Sequence, residues 1–198
     1  MALDRIVPGF ADPVLDSQRA FRAALSAMAQ PGTIVAVARP AAPLAGVAPA
    51  AQALLLALLD ADTRLWLSAS LGDGAAAAAN LRFHTGCRLV ADCAEADFAL
   101  VASAAELPPL AAFAWGTDLY PERSASVVVQ VSALAEGAGW RLAGPGVRGE
   151  RRLAVPDLDA GFLAQWDENH RAFPRGVDLY LACGERLCAL ARTTRIEG

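Results

Sequence analysis

The C-terminal segment Asp178–Thr194, DLYLACGERLCALARTT, carries the densest set of side chains that could do chemistry. It places Cys183 and Cys188 on either side of an acidic turn and ends in an Arg-Thr-Thr sequence. Thiolates bind zinc and take part in redox reactions, whereas arginine and threonine donate hydrogen bonds to anions. The segment therefore raises three hypotheses: a metal site, a redox pair and an anion-binding edge.

The turn Gly184–Glu185, with glycine first, favours a type II′ β-hairpin. The register that follows places Cys183 opposite Arg186. It also places Cys188 opposite Leu181, on the same face as Cys183. Such diagonal neighbours lie about 7–8 Å apart, whereas a disulfide usually needs Cα atoms within about 4.4–6.8 Å. We therefore expect free thiols that pack in the core as small hydrophobic residues.

A zinc site would need more ligands than the hairpin supplies. Its candidates are His84, Cys87, Cys93 and His170. The sequence HTGC has a His-x2-Cys spacing, but no Cys-x2-Cys pair accompanies it. We predict no metal, and a zinc-dependent hydrolase remains an alternative.

The other polar candidates stand where predicted elements end. Arg82 and His84 close an apolar helix, where cations oppose the negative end of the helix dipole. The sequence ARTT either offers hydrogen-bond donors to an anion or is an exposed edge strand guarded by charge. Asp178 stands at a strand start, where a carboxylate commonly accepts backbone hydrogen bonds.

Helices and strands alternate early in the chain and hairpins follow later, which predicts an α/β fold with a mixed β-sheet flanked by helices. The first helix is expected to be capped by Asp16 or Ser17, with Phe21, Leu25 and Met28 on one face. Further helices are predicted at residues 49–59, at 74–83 behind an Asp73 cap, at 110–115 and within 157–173. Strands are predicted at residues 33–38, 64–70, 88–92, 97–103 and 124–134, the last turning at Gly137–Gly139 into 140–144.

The composition excludes several classes of protein. The chain has 198 residues, a net charge of −4 and 17 basic residues, all of them arginine. Without lysine it cannot form the Schiff base that holds pyridoxal phosphate (PLP), so we expect no PLP and no other cofactor. The net charge makes nucleic acid a poor partner. Prolines interrupt the uncharged stretch 40–59, and the N-terminus lacks the pattern of a secretory signal, so we expect one cytoplasmic domain over residues 1–198 and no membrane span.

Five segments taken in order resemble the PhnH family of the bacterial carbon-phosphorus lyase system. They are FRAALSAMAQPGTI, LRFHTG, GTDLYPE, LAGPGV and FPRGVDLYLACGERLCALARTT, and they extend from Phe21 to Thr194. Each segment alone is weak evidence for membership of the family, but the five segments in this order are specific to it. One departure is Ala191, where the family pattern has proline.

The resemblance implies a fold like the large domain of PLP-dependent transferases, without the cofactor. It also implies a homodimer in isolation and a core complex with PhnG, PhnI and PhnJ. With PhnL, that complex replaces the adenine of ATP by an alkylphosphonate at ribose C1′. A purely non-catalytic scaffold role is the alternative. If the chain contacts the anion, we expect Arg82, His84, Arg192 and Thr193 to be its ligands, with Asp178 and Glu185 positioning them.

Overall fold

A computed structural model describes residues 6–72 and 76–197. Its helices are packed around two sheets. The α-helices are α1 (Pro13–Ala29), α2 (Pro49–Leu58), α3 (Ala69–Gly72), α4 (Ala76–Thr85) and α5 (Ala160–Arg171). The strands are β1 (Val35–Ala36), β2 (Arg64–Leu67), β3 (Arg88–Leu89), β4 (Phe98–Val101), β5 (Ser126–Gln130), β6 (Ala135–Ala143), β7 (Arg151–Ala154), β8 (Asp178–Cys183), β9 (Arg186–Leu190) and β10 (Arg195–Glu197).

The larger sheet is mixed and has the strand order β1-β9-β8-β5-β4-β2-β3. Strands β3, β2, β4, β5 and β8 run parallel, and β9 and β1 complete the sheet in antiparallel fashion. A second, antiparallel sheet has the order β10-β6-β7. The prediction of an α/β fold with a mixed sheet is confirmed. The three-stranded sheet was not predicted.

The central strands are apolar throughout because both faces of the large sheet are covered. Val128 and Tyr180 belong to a core on one face that includes α1, α2 and α4. Val127 and Leu181 belong to a core on the other face that includes Trp166 of α5. Alternate residues of each strand thus enter different cores.

The C-terminal hairpin has the predicted register. Cys183 pairs with Arg186, and Leu181 pairs with Cys188. Gly184 has a φ of 59°, the left-handed conformation that the first position of a type II′ turn requires. Cys188 is buried in the core and Cys183 packs against the same core, as predicted.

The N-cap predicted for α1 is wrong, and the side of the helix that carries the large apolar residues is not its most buried side. The helix begins at Pro13, and Asp12 is the N-cap because its carboxylate accepts hydrogen bonds from two first-turn N–H groups. The buried face consists of alanines such as Ala24, which allow close approach to α2. Phe21 and Leu25 are instead 48% and 58% exposed.

The hairpin predicted from residues 124–134 and 140–144 is also wrong. Strand β5 lies between β4 and β8 in the large sheet, where a parallel partner on each side fills its hydrogen bonds. Residues 135–143 form the single strand β6, which pairs with β7 and β10 and carries a bulge between Glu136 and Trp140. The glycines of this region mark the bulge rather than a turn.

Several other predicted elements are shorter in the structure. The predicted strands 33–38, 64–70, 88–92 and 97–103 reduce to the bounds of β1, β2, β3 and β4, and the helix at 110–115 is a 3₁₀ turn at Leu110–Ala112. Residues 192–193 form a turn between the two sheets, so the predicted edge strand at ARTT is wrong. The predicted Asp73 cap lies outside the described residues.

The structure predicts opposite effects for two neighbouring substitutions on α1. Ala24→Leu forces a larger side chain into a position that is 2% exposed and should lower the free energy of unfolding by about 1–3 kcal/mol. Leu25→Ala removes a side chain from the exposed face and should change stability by less than about 0.5 kcal/mol. Urea unfolding of both variants measures the difference. A larger loss for Leu25→Ala would show that α1 faces the other way.

Candidate functional site

The polar candidates near the C-terminus meet where β8 begins and β9 ends. Because these strands are antiparallel neighbours, Asp178 at the start of β8 lies beside Arg192, just past the end of β9. The Asp178 carboxylate accepts hydrogen bonds from the Arg192 backbone N–H at 2.8 Å and from its Nη2 at 2.5 Å. The predicted positioning role of Asp178 thus corresponds to direct contact with Arg192.

The Arg192 guanidinium is fully bonded within the protein. Besides Asp178, it donates to the carbonyl oxygens of Pro121 at 2.9 Å and Pro174 at 3.3 Å and to the hydroxyl of Ser124. Its Nε also donates to Asp178, so all five N–H groups have acceptors. An anion could bind this guanidinium only by displacing a protein acceptor, and the predicted anion contact of Arg192 stays a prediction.

The turn that follows Arg192 is held by α5. Trp166 donates its indole N–H to the carbonyl oxygen of Thr194 at 2.8 Å. His170, one helical turn later, bonds through Nδ1 to the carbonyl oxygen of Arg192 at 3.1 Å. Thr193 between them is half-buried. The turn is therefore fixed from two sides, by Asp178 through Arg192 and by two side chains of one helix face.

Thr193 lies between two cavities. One has a volume of about 350 Å³, and residues from α1, the 121–122 loop and the segment before β8 line it with Arg192. The other has a volume of about 250 Å³ and is lined by His170 and Arg195 among others. Sequence reasoning missed Arg195 as a site residue and considered His170 only as a metal ligand. The spacing of Trp166 and His170, four residues apart on a helix, was the available signal.

Arg82 and His84 lie on another part of the molecule. Both are in the last turn of α4, as predicted, and α4 leads directly into β3. His84 contacts the carbonyl oxygen of Val7 at 2.8 Å through Nε2. Arg82 is exposed, and its guanidinium makes no hydrogen bond or ion pair within the described residues. Four strand spacings separate β3 from β8, about 19 Å at 4.8 Å per strand.

Glu185 lies at the opposite end of the sheet from Asp178. It is in the turn between β8 and β9, and its carboxylate forms an exposed ion pair with Arg39 at 2.7 Å. The structure therefore brings together Asp178, Arg192 and Thr193, but it separates them from Glu185 and from the pair Arg82 and His84. Within a single chain the six predicted residues do not form one site.

A second arginine–aspartate pair was not predicted. Asp97 accepts hydrogen bonds from the side chain and the backbone N–H of Arg64 and joins the starts of β2 and β4. Burial alone raises the pKa of Asp97, but the hydrogen bonds and charge of Arg64 outweigh it, so the pKa lies below its ordinary value. Two such pairs therefore fix the amino ends of the parallel strands.

The carboxyl ends of the parallel strands, where α/β proteins commonly bind ligands, contain a cavity of about 370 Å³. Ser103, Gln130, Ser132 and Asp157 are among the residues that line it. Asp157 accepts hydrogen bonds from both the backbone N–H and the hydroxyl of Ser132. The Gln130 amide bonds to the backbone of the neighbouring loops. These polar groups mainly hold loops together.

The cysteines behave as core residues. Burial raises the pKa of the Cys188 thiol to about 12, and burial also raises the pKa of Cys87 and Cys93. A raised pKa keeps the thiol protonated and so weakens it as a nucleophile or metal ligand. Among residues 6–72 and 76–197, no group of three or more histidine, cysteine, aspartate or glutamate side chains could hold a metal ion.

None of the helices within the described residues combines the length and the apolar composition needed to cross a membrane. This includes α2, which occupies the second half of the uncharged stretch 40–59.

Comparison with known proteins gives matches over almost the whole chain. The model of the family described as "Bacterial phosphonate metabolism protein (PhnH)" matches residues 8–197. A protein of Rhizobium meliloti (strain 1021), the PhnH subunit of alpha-D-ribose 1-methylphosphonate 5-triphosphate synthase, is 39% identical over 95% of this chain and 94% of its own length. HtxG of Stutzerimonas stutzeri, whose description groups it with C-P lyase subunits, is 44% identical over 39% of this chain and 40% of its own length.

The bonds of Arg192 predict that Asp178→Asn destabilises the fold. The substitution removes the charge that the guanidinium faces, and both side chains are largely buried, at 22% and 14% exposed. The free energy of unfolding should fall by about 1.5–3 kcal/mol. The exposed pair Asp167–Arg171 provides the control, because Asp167→Asn should cost less than about 0.5 kcal/mol. Equal small losses in urea unfolding would contradict the structural role of the pair.

The thiol environments predict selective alkylation. At pH 8 and without denaturant, iodoacetamide should modify Cys188 about a thousandfold more slowly than an unperturbed cysteine, because almost none of its thiol is ionised. Mass spectrometry of the modified peptides over time measures the rate. All four cysteines should react at similar rates in urea. Rapid modification of Cys188 in the folded protein would contradict its burial.

Proposed function

The chain belongs to the PhnH family of bacterial phosphonate-metabolism proteins, and from this premise we propose that it is the PhnH subunit of an alpha-D-ribose 1-methylphosphonate 5-triphosphate synthase. The observation that carries the proposal is the 39% identity to such a subunit across nearly the full length of both chains. The match to HtxG adds a second relative from the C-P lyase group.

The proposed setting is a cytoplasmic core complex with PhnG, PhnI and PhnJ. With PhnL, this complex would replace the adenine of ATP by a phosphonate at ribose C1′. Displacement at C1′ requires the phosphonate to be held in line with the departing base and the triphosphate charge to be countered. A subunit can contribute to either requirement by presenting side chains or by holding other subunits in place.

The surface of the chain supports a role in assembly. Phe21 and Leu25 are exposed on the outer face of α1. Met28 follows them at helical spacing, packs partly against the core and lines the 350 Å³ cavity together with Phe173. Phe173 is 60% exposed. We call these four residues the apolar docking face. Contiguous exposed apolar surface is typical of protein interaction sites.

The geometry of the site favours a structural role for Arg192 and leaves Arg82 available to bind a ligand or a partner. Every N–H group of the Arg192 guanidinium already donates to a protein acceptor. This supports a role for Arg192 in stabilising the fold rather than in binding substrate. Arg82 is exposed at the end of α4, where it could meet an anion or another subunit. We propose that Arg82 and His84 contribute to an anion site only where a second chain completes it.

Three further features of the family are proposals for this chain. They are a fold like the large domain of PLP-dependent transferases, the absence of that cofactor, and a homodimer when the chain is isolated. The chain contains no lysine to hold PLP. The apolar docking face provides a surface that a second copy or another subunit would cover.

The proposal predicts that Leu25→Arg releases the chain from the complex. Co-expression with PhnG, PhnI and PhnJ, followed by affinity purification through a tag on PhnI, should recover the unmodified chain in fixed ratio. Leu25→Arg should reduce its recovery about tenfold or more, because a charge buried in an apolar interface is strongly unfavourable. Leu89→Arg is the matched control, since Leu89 is an exposed leucine at the far edge of the sheet.

Adenine release from ATP and methylphosphonate, measured with PhnL added, completes the experiment. The chain alone should release none. Arg82→Ala that assembles normally and loses activity would place Arg82 in the chemistry, whereas loss of assembly would support scaffolding. Full activity of a complex that lacks this chain would contradict the proposed function.

A further inference from the structure

The smaller cavity beside Thr193 has the side chains of an anion site. It lies between the end of β6, the last turn of α5 and the turn that connects β9 to β10. Its volume is about 250 Å³, and its lining residues are Ala143, Gly144, Pro145, His170, Thr193 and Arg195. Three of these residues can hydrogen-bond to an anion through their side chains. None of the three takes part in the bonds of the Arg192 guanidinium.

The hydrogen bond of His170 fixes its tautomer. Its Nδ1 lies 3.1 Å from the Arg192 carbonyl oxygen, and a carbonyl oxygen only accepts, so Nδ1 carries the proton. In the neutral ring Nε2 is then unprotonated. Nε2 has no protein partner among the described residues, so it can accept a proton from a ligand or, when protonated, donate one hydrogen bond. His170 is therefore oriented by the same turn that Arg192 holds in place.

Thr193 and Arg195 supply hydrogen-bond donors at this cavity. The Thr193 hydroxyl has no hydrogen-bond partner in the described part of the chain. Arg195 forms an exposed ion pair with Glu197 through Nε at 3.3 Å, which leaves its two Nη groups for a ligand. Glu197 is shared with Arg141, which also approaches Glu150. The charge of Glu197 is thus divided between two arginines, and the residues that line the cavity include no carboxylate.

The backbone around the cavity is tightly packed. Gly144 has a φ of 128°, and a Cβ there would lie 2.8 Å from the Thr193 carbonyl oxygen. Gly146 has a φ of 80°, and a Cβ there would lie 2.1 Å from the Ala29 carbonyl oxygen. The loop therefore closes against Thr193 on one side and against the end of α1 on the other. Only glycine fits at both positions.

The lining residues indicate the class of ligand. The cavity measures about 250 Å³, just below the range of about 300–1,000 Å³ usual for drug-sized molecules, and it can admit a tetrahedral oxyanion with a small substituent. A guanidinium binds such a group through two parallel hydrogen bonds, and a hydroxyl and an imidazole can occupy its remaining oxygens.

We propose that His170, Thr193 and Arg195 form a binding site for a phosphonate or phosphate group. The site itself follows from the lining residues and the volume, while the choice of phosphonate as a ligand rests on the proposed function. Two sources share this chemistry: a free alkylphosphonate and the terminal phosphate of a nucleoside triphosphate.

The test uses imidazole signals, since the chain has only two histidines. His84 bonds to the Val7 carbonyl oxygen through Nε2, so it carries the opposite tautomer from His170. Long-range ¹H–¹⁵N correlation spectra therefore distinguish the two rings without assignment mutants. Titration of the full chain with methylphosphonate, inorganic phosphate or ATP, at constant pH and ionic strength, should shift His170 saturably and leave His84 unchanged.

Variants test the individual donors. Arg195→Gln should weaken binding about tenfold or more, and Thr193→Ala about threefold. Arg22→Gln, an exposed arginine on α1, is the matched control and should bind like the unmodified chain. Thermal unfolding of each variant verifies the fold. Saturation by methylphosphonate identifies the free anion as a ligand, and saturation by ATP alone identifies the triphosphate.

Three results would overturn the site: no shift of His170 with any of the three compounds, equal shifts of both histidines, or equal affinity of Arg195→Gln and the unmodified chain. These results concern the isolated chain and do not depend on PhnG, PhnI or PhnJ. A chain that binds phosphonate but fails to enter the complex would refute the proposed subunit role alone, so the two failures can be told apart.

Discussion

The ion pair between Asp178 and Arg192 is the contact on which the functional end of this molecule depends. It joins the first residue of β8 to the turn after β9, and the same guanidinium binds the loops at Pro121 and Pro174. Three stretches of the chain, at residues 121–124, 174–178 and 192, therefore meet at one cation. Because every N–H of the guanidinium has an acceptor, the pair retains its hydrogen bonds while the two side chains are largely withdrawn from water. The pair fixes the turn at residues 192–193. The position of this turn decides which side chains lie beside it.

The fixed turn separates two surfaces of different character. On one side lies the cavity that Met28 and Phe173 share, which continues onto the exposed face of α1 and is suited to another protein chain. On the other side lie His170, Thr193 and Arg195, which are suited to an oxyanion. A subunit that positions an anion beside its own interface can couple binding of that anion to assembly, since Thr193 borders both cavities.

Sequence patterns predicted the elements whose structure is decided locally. The register of the β8–β9 hairpin follows from the two-residue turn alone, and α2 and α5 begin near residues with recognisable helix-start signals. The face of α1 could not be predicted in this way. Large apolar residues at helical spacing usually mark a core, but here alanines allow close packing on α2, and Phe21 and Leu25 remain exposed. The apolar pattern thus reflects a surface that the isolated chain leaves uncovered.

The candidate site could be predicted only in part from the sequence. Asp178, Arg192 and Thr193 were identified from their positions at strand ends, and the structure places them together. Arg82, His84 and Glu185 were grouped with them on chemical type alone, and the strand order separates them. His170 and Arg195 escaped notice as anion ligands because their proximity depends on a turn between two sheets. The four-residue spacing of Trp166 and His170 indicates a shared helix face, but the turn before Arg195 leaves no periodic signal in the sequence.

The most direct test of this account is hydroxyl-radical footprinting of the chain, alone and in the assembled complex, with oxidation of Phe21, Leu25 and Met28 read by mass spectrometry. The account predicts strong oxidation of the three residues when the isolated chain is diluted until it is monomeric, and marked protection in the complex, while Leu89 on the far edge changes little. Unchanged oxidation of α1 in an active complex would contradict the claim that this face joins the chain to its partners.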